Sequence, residues 1–232
     1  VPVTLDEILI HLKAVRRAVQ RALLVADMPY GTFHVGEDEA VKNALRLVKE
    51  GGAEAIKLEG GHKRVQLVKR LVDEEISVMG HIGLTPQSIN QLGAYRVQGK
   101  TPKAAQQLID DAKALEDAGA FAVVLEVVPR EIARLITESI SIPTIGIGAG
   151  SHCDIQVLVL HDMLGLSFGK QARFVRPYAN LRDVITDAVS RYADDVRNGT
   201  YPSEAESYAL PAETAEALDI HNPTRNSKAE KS

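Results

Sequence analysis

Residues 103–126 read KAAQQLIDDAKALEDAGAFAVVLE, and this stretch decides the fold class. The spacing of its first apolar residues predicts a helix over Lys103–Ala118 that ends at Gly119. These residues are Ala104, Leu108, Ala112 and Leu115. The run Phe121–Leu125 then predicts a strand, and because it is continuously apolar, that strand should be buried on both faces. The stretch therefore forms one helix–strand unit of an α/β protein.

The same alternation recurs along the chain. Further apolar runs that predict strands are Leu23–Ala26, Ala55–Leu58, Ile76–Met79 and Thr144–Ile147. A sixth run, Ile155–Leu160, is compatible with a strand or a helix. A helix is also predicted over Glu37–Glu50, which ends at Gly51. Its predicted buried face is Val41, Ala44, Leu45 and Val48.

Strands that alternate with helices form a parallel sheet, either open and doubly wound or closed into a barrel. The first element, Thr4–Gln20, is a helix with a Thr-x-x-Glu capping box at Thr4 and Glu7. The chain thus begins within a βα unit, at Val1 and not at Met. About six units are visible, whereas a complete barrel has about eight. Either the sheet is open, or the first two units are absent.

Composition divides the chain into a domain and a tail, and it narrows the functional class. We expect residues 1–202 to form the β/α domain. Residues 203–232 are rich in polar residues, and we expect them to form a solvated arm or a disordered tail. The net charge of −4 and the lack of a basic stripe argue against nucleic acid. The chain has one cysteine, no apolar stretch long enough for a membrane span and no signal-peptide pattern, so we expect a cytoplasmic protein.

Polar residues stand where the predicted strands end, and in parallel α/β folds such positions carry the chemistry. They are Asp27, Lys57, Glu59, His81 and Glu126. Lys57 and Glu59 are two apart, so their side chains lie on one side of the sheet. Each residue alone is also compatible with an ordinary loop or cap position. Together, three carboxylates at one sheet edge would repel by roughly 4 kcal/mol per close pair at an effective dielectric of 20.

A cation would relieve this repulsion, and an all-oxygen set of ligands suits Mg²⁺. Lys57 could bind a substrate carboxylate, and a cation beside a 2-keto acid would make the neighbouring C–H more acidic. Glu126, flanked by valines, could then accept that proton. The residues themselves predict proton abstraction beside a carbonyl and go no further.

Seven motifs occur in an order that resembles the ketopantoate hydroxymethyltransferase family. They are ADMPY (26–30), KLEGG (57–61), GHIGLTPQS (80–88), YRVQG (95–99), VLEVVP (124–129), IPTIGIGAG (142–150) and HDMLGL (161–166). The resemblance covers residues 1–208 and implies a (β/α)8 TIM-type barrel of the phosphoenolpyruvate/pyruvate superfamily. The first two βα units, about 60 residues, are then expected to be absent from this chain.

The resemblance also implies the reaction, in which 5,10-methylenetetrahydrofolate gives a one-carbon unit to 3-methyl-2-oxobutanoate and 2-dehydropantoate is formed. It implies Mg²⁺ held by Asp27 and Glu59, a keto acid contacted by Asp27 and Lys57, and Glu126 as proton acceptor. His81 matches a position that lines the pocket. Members usually assemble as homodecamers.

One segment typical of the family is lacking. Its second strand normally ends in Val-Gly-Asp-Ser, whose Asp ligates the metal and whose Ser contacts the keto acid, and this sequence contains no such segment. Two other hypotheses therefore remain beside the transferase: a Mg²⁺-dependent keto-acid lyase or mutase of the same superfamily, and an inactive barrel scaffold. Neither a lid nor a catalytic-cysteine motif of such lyases is visible.

Overall fold

The fold is built on a six-stranded parallel sheet. The computed structural model describes residues 1–220. Its strands are β1 (Val25–Asp27), β2 (Ala55–Glu59), β3 (Val78–Gly83), β4 (Ala122–Glu126), β5 (Thr144–Ile147) and β6 (Ile155–Gln156). The spatial order is the chain order, β1-β2-β3-β4-β5-β6, and every neighbouring pair is parallel. A doubly wound sheet would reverse its order at a switch point. The sheet is therefore a half-barrel within an α/β fold.

Helices follow the strands as the sequence predicts. They are α1 (Leu5–Ala18), α2 (Glu37–Lys49), α3 (Val65–Asp73), α4 (Ile89–Leu92), α5 (Pro102–Asp117), α6 (Arg130–Ser139), α7 (Leu160–Met163), α8 (Leu181–Asn198) and α9 (Ala212–Ala217). The predicted capping box of α1 is present, with the Glu7 N–H donating to Thr4 Oγ1 at 3.2 Å and the Thr4 N–H donating to Glu7 Oε2 at 2.7 Å.

The main hydrophobic core lies between the sheet and helices α1, α2, α3, α5 and α6. Strand residues Ile56, Leu58 and Val123 point into it, together with the helix residues Leu47 and Leu115. Alternate strand residues face the other way and form a smaller cluster of Met79, Ala122, Val124 and Ile147, to which no helix of the described chain contributes. The two faces of the sheet thus differ: one is covered by helices, and the other is the inner face of the half-barrel.

The structure corrects one detail of the sequence prediction and resolves another that the sequence left open. Leu45, expected on the buried face of α2, is 39% exposed, whereas Leu47 is fully buried, because the stripe of α2 that meets the sheet runs through Ala40, Ala44 and Leu47. The ambiguous sixth run forms the two-residue strand β6 and then, at Leu160, begins α7.

Beyond β6 the chain is mostly exposed. Helix α8 has no buried residue and ends at Gly199, whose φ is +69°. The predicted arm from residue 203 contains a 3₁₀ turn at Glu204–Glu206 and the short helix α9, so its described part is not devoid of secondary structure. Residues 221–232 of the arm lie outside the described residues. Across residues 1–220, no helix is both long and apolar enough to cross a membrane.

Candidate active site

The five predicted side chains lie at the carboxyl ends of β1 to β4, on the inner face of the half-barrel. Asp27 is paired with Lys57 in the β1–β2 register, and Glu59 is paired with His81 in the β2–β3 register. Glu126 is paired with Gly83, one inward-facing position beyond His81 on the adjacent strand. Strand periodicity and register together therefore place all five on one surface.

Lys57 lies between two of these side chains. Its Nζ is 2.8 Å from Asp27 Oδ1 and 3.2 Å from His81 Nδ1, and its side chain is only 17% exposed. A lysine ammonium can only donate, so His81 Nδ1 must be the acceptor. The ring proton of a neutral His81 is thereby assigned to Nε2.

His81 is the most central residue of the group. It is 3% exposed, and its Nε2 lies 3.2 Å from Glu126 Oε2. The two atoms do not form a hydrogen bond, and Nε2 has no such partner among residues 1–220. At this separation, a small rotation of either side chain would let Nε2 donate to Glu126. His81 thus connects the cation Lys57 to the carboxylate Glu126.

Glu59 is a buried carboxylate whose charge is only partly offset. Burial raises its pKa above the usual value, and the charge of Asp27 adds to that rise. His81, Lys57 and the Gln87 N–H act in the opposite direction. The Gln87 N–H donates to Glu59 Oε2 at 3.0 Å, and His81 Nδ1 is 3.8 Å from Glu59 Oε1. Such a group favours a nearby cation, because a cation stabilises its charged form.

The backbone around Glu126 is strained. Val127 has a φ of +51°, a conformation that is rare for a β-branched residue and is concentrated at functional sites. Opposite it, Gly83 has a φ of +92°, and the Leu84 N–H donates to the Glu126 carbonyl at 2.8 Å. A side chain at Gly83 would place its Cβ only 2.3 Å from that carbonyl oxygen. A glycine is therefore required for β3 to approach Glu126 so closely.

The donor set for a metal is smaller than the sequence suggests. Within the described chain, no group of three or more His, Cys, Asp or Glu side chains is arranged to hold a metal ion. The three carboxylates lie at one sheet edge, as expected, but they do not surround one cation site: Glu126 lies against His81, and Asp27 contacts Lys57. Asp27 and Glu59 remain as two oxygen donors on neighbouring strands. Two carboxylates fit Mg²⁺, which commonly takes its other ligands from water and substrate.

Gln87 belongs to the site and was not identified from the sequence. Besides its backbone bond to Glu59, its Nε2 donates to the Met28 carbonyl at 2.9 Å, next to Asp27. It thus connects the ends of β1 and β2. The same residue lines a cleft of about 180 Å³ beside Asp27, Pro29 and Tyr30. The motif GHIGLTPQS contains Gln87, but nothing in its spacing indicates these contacts.

Comparison with known proteins identifies the family. The family model described as Ketopantoate hydroxymethyltransferase matches residues 1–204. The chain belongs to this family. It is 56% identical to 3-methyl-2-oxobutanoate hydroxymethyltransferase of Koribacter versatilis (strain Ellin345), over 94% of this chain and 74% of that protein. It is 51% identical to the enzyme of the same name from Clostridioides difficile (strain 630), over 93% and 78%.

Membership in the hydroxymethyltransferase family makes the chain an enzyme and confirms the family resemblance drawn from the seven motifs. One similar solved structure is that of 2,3-dimethylmalate lyase, a PEP mutase/isocitrate lyase superfamily member. Its TM-score to this chain is 0.48 at 14% sequence identity, and the match covers 89% of this chain and 69% of that one. The α/β half-barrel rests on the strand order itself. All five predicted side chains lie at one edge of that sheet, and their individual chemical roles remain predictions.

Proposed function

We propose that the chain transfers a hydroxymethyl group from 5,10-methylenetetrahydrofolate to 3-methyl-2-oxobutanoate, giving 2-dehydropantoate in pantothenate biosynthesis, with Mg²⁺ at the strand-end site. Family membership supports the reaction. The observation that carries the proposal is Lys57, a largely buried cation between Asp27 and His81 on the same face as Glu59 and Glu126. Such an arrangement suits a small substrate with one carboxylate and an adjacent keto group.

Each residue has a defined task in this proposal. Lys57 exchanges its contact with Asp27 for the carboxylate of the keto acid. Asp27 and Glu59 hold Mg²⁺, which when bound supplies positive charge to the keto-acid oxygens and favours the enolate. Asp27 also contacts the keto acid, and His81 lines the pocket between Lys57 and Glu126.

Glu126 accepts the proton from C3 of the keto acid. Its carboxylate lies at the end of β4 with its side chain 15% exposed, which limits competition from bulk water. C3 then forms a bond to the one-carbon unit of the folate. One water supplies the new hydroxyl, and tetrahydrofolate leaves, so the overall reaction consumes one keto acid, one methylenetetrahydrofolate and one water. A donor at His81 Nε2 would orient Glu126 for this proton transfer.

The finer architecture and assembly are part of the same proposal. We take the half-barrel to be part of a (β/α)8 barrel, and the active form to be a cytoplasmic homodecamer. Helix α8 supports an assembly, because its residues Val184, Ile185, Val189 and Tyr192 are all more than half exposed. Light scattering on the purified protein tests the decamer against the 25.2 kDa mass of one chain.

The test of the reaction is direct. The purified protein is incubated with keto acid, methylenetetrahydrofolate and Mg²⁺, and formation of 2-dehydropantoate is followed with and without EDTA. We expect turnover that EDTA abolishes and added Mg²⁺ restores. Absence of product under all conditions would contradict the transferase proposal, and EDTA-insensitive turnover would contradict the metal.

A further inference from the structure

The loops after β1 and β2 bring aromatic and basic side chains together just outside the strand-end site. Tyr30, Phe33 and His34 follow β1, and Lys63 and Arg64 follow β2; we call these five residues the aromatic–basic rim. The ring centroids of Tyr30 and His34 are 4.6 Å apart, and those of Phe33 and His34 are 4.3 Å apart. The Arg64 guanidinium carbon lies 4.9 Å from the Phe33 ring centre. The rim is thus a continuous series of contacts from Tyr30 to Arg64.

The rim carries two cations, Lys63 and Arg64. In the part of the chain that the structure describes, neither Lys63, Arg64 nor His34 forms an ion pair with a carboxylate. Burial lowers the pKa of His34, and the charges of Arg64 and Lys63 lower it further. Arg64 Nε is buried and has no hydrogen-bond partner among those residues. An anion would supply the ion pair that Lys63 and Arg64 lack within the described residues.

The rim adjoins the cleft beside Asp27. Tyr30 lines that cleft together with Asp27 and Gln87, and its side chain is half exposed. From the cleft, the contacts run through His34 and Phe33 to Arg64, whose Nη1 also donates to the Phe33 carbonyl at 3.4 Å. These contacts fix the guanidinium in place before a ligand arrives, which lowers the entropy cost of binding.

We propose that the aromatic–basic rim binds the aminobenzoyl-glutamate tail of the folate co-substrate. This rests on the proposed function, which places the one-carbon end of that molecule at the cleft. A folate has a ring system at one end and glutamate carboxylates at the other, which matches a surface that carries aromatic rings beside Asp27 and two basic side chains at its far end. The aminobenzoyl ring packs on Tyr30 and His34, and the glutamate carboxylates pair with Lys63 and Arg64.

The test compares 5,10-methylenetetrahydrofolate with 5,10-methylenetetrahydropteroate, which has the same reacting end but no glutamate. If Lys63 and Arg64 each form a partly exposed ion pair with the glutamate, the KM of the wild type should be about 3- to 30-fold lower for the folate than for the pteroate. Lys63→Gln combined with Arg64→Gln should bring that ratio to about 1–2 by raising the folate KM alone. Lys63→Gln alone should have a partial effect, and because Lys63 is exposed, it leaves the Arg64–Phe33 contact intact.

Lys69→Gln is the matched control, because Lys69 is an exposed lysine of α3 without an ion pair among residues 1–220, and it should leave the ratio unchanged. Exchange of the keto-acid C3 proton, which needs no folate, should be the same in all variants. The proposal would be overturned if the wild type had equal KM values for the folate and the pteroate, or if the double variant kept the wild-type ratio of the two. Calorimetric binding of tetrahydrofolate and tetrahydropteroate separates the two proposals, since a glutamate-dependent affinity without turnover would contradict the proposed function alone.

Discussion

Lys57 offers a sharp test of how the keto acid is bound. The change is Lys57→Met, which keeps most of the side-chain volume and removes the charge. The contact that Lys57 makes with Asp27 is worth only about 1 kcal/mol, because the Asp27 side chain is 49% exposed and solvent screens the pair. A hydrogen bond from a largely buried ammonium to a substrate carboxylate is worth more, about 1.5–3 kcal/mol.

The expected loss therefore appears in substrate binding. A free energy of this size corresponds to a rise of about 10- to 150-fold in the KM for 3-methyl-2-oxobutanoate. The KM for methylenetetrahydrofolate and the melting temperature should change little. Mg²⁺ should bind at least as well as before, because removal of Lys57 frees an oxygen of Asp27.

The assay is steady-state turnover with the keto acid titrated at fixed Mg²⁺ and folate. Lys69→Met, an exposed lysine substitution on α3, is the control and should behave as wild type. If Lys57→Met leaves the keto-acid KM within twofold of wild type while kcat falls, Lys57 does not bind the substrate carboxylate.

Three further substitutions test the surroundings of the site. Glu59→Gln should weaken Mg²⁺ binding, and an unchanged calorimetric Mg²⁺ titration would exclude Glu59 as a direct ligand. In the absence of metal, the same substitution should stabilise the fold at neutral pH. A raised pKa means that the folded chain holds the Glu59 proton more tightly than the unfolded chain does, so the stability from this proton is lost as pH rises above about 4.5. In EDTA, the melting temperature of Glu59→Gln should therefore exceed that of wild type at neutral pH, by a margin that is larger at pH 8 than at pH 5. Gln87→Met should weaken Mg²⁺ binding by roughly 3- to 10-fold, because it removes the hydrogen bond from Gln87 to the Met28 carbonyl, which holds the end of β1 in place. The control is the exposed Gln66→Met, which should bind Mg²⁺ as wild type does. Equal Mg²⁺ affinities for Gln87→Met and wild type would remove Gln87 from the site. Gly83→Ala should lower the free energy of unfolding, measured by urea titration, by about 2–4 kcal/mol. The new Cβ would collide with the Glu126 carbonyl, and the positive φ of residue 83 is strained for alanine. A loss below about 0.5 kcal/mol would refute the close approach of β3 to Glu126.

Much of this arrangement could be predicted from local sequence. Continuous apolar runs located the core strands, and the polar residue after each run located the site, because parallel strands end at one edge of a sheet. The two-residue spacing of Lys57 and Glu59 predicted their shared face correctly. Each of these patterns lies within a single strand and the residue that follows it, so each can be recognised without knowing how the strands pair.

What could not be predicted depends on register between strands. The sequence gives no indication that His81 lies opposite Glu59 and diagonally from Glu126, because that follows from how β2, β3 and β4 align. The same alignment separates Glu126 from Asp27, which is why the three carboxylates do not surround one cation site. The left-handed Val127 was also missed, since valine is the residue type least expected there.

Proton exchange at C3 of the keto acid tests the central claim most directly, since it isolates the step assigned to Glu126. The protein is incubated with 3-methyl-2-oxobutanoate and Mg²⁺ in D₂O without folate, and loss of the C3 proton signal is followed by NMR. The account predicts exchange that EDTA abolishes and that Glu126→Gln slows by about 10²- to 10⁴-fold, with Mg²⁺ binding largely intact. Exchange by Glu126→Gln at the wild-type rate would contradict it.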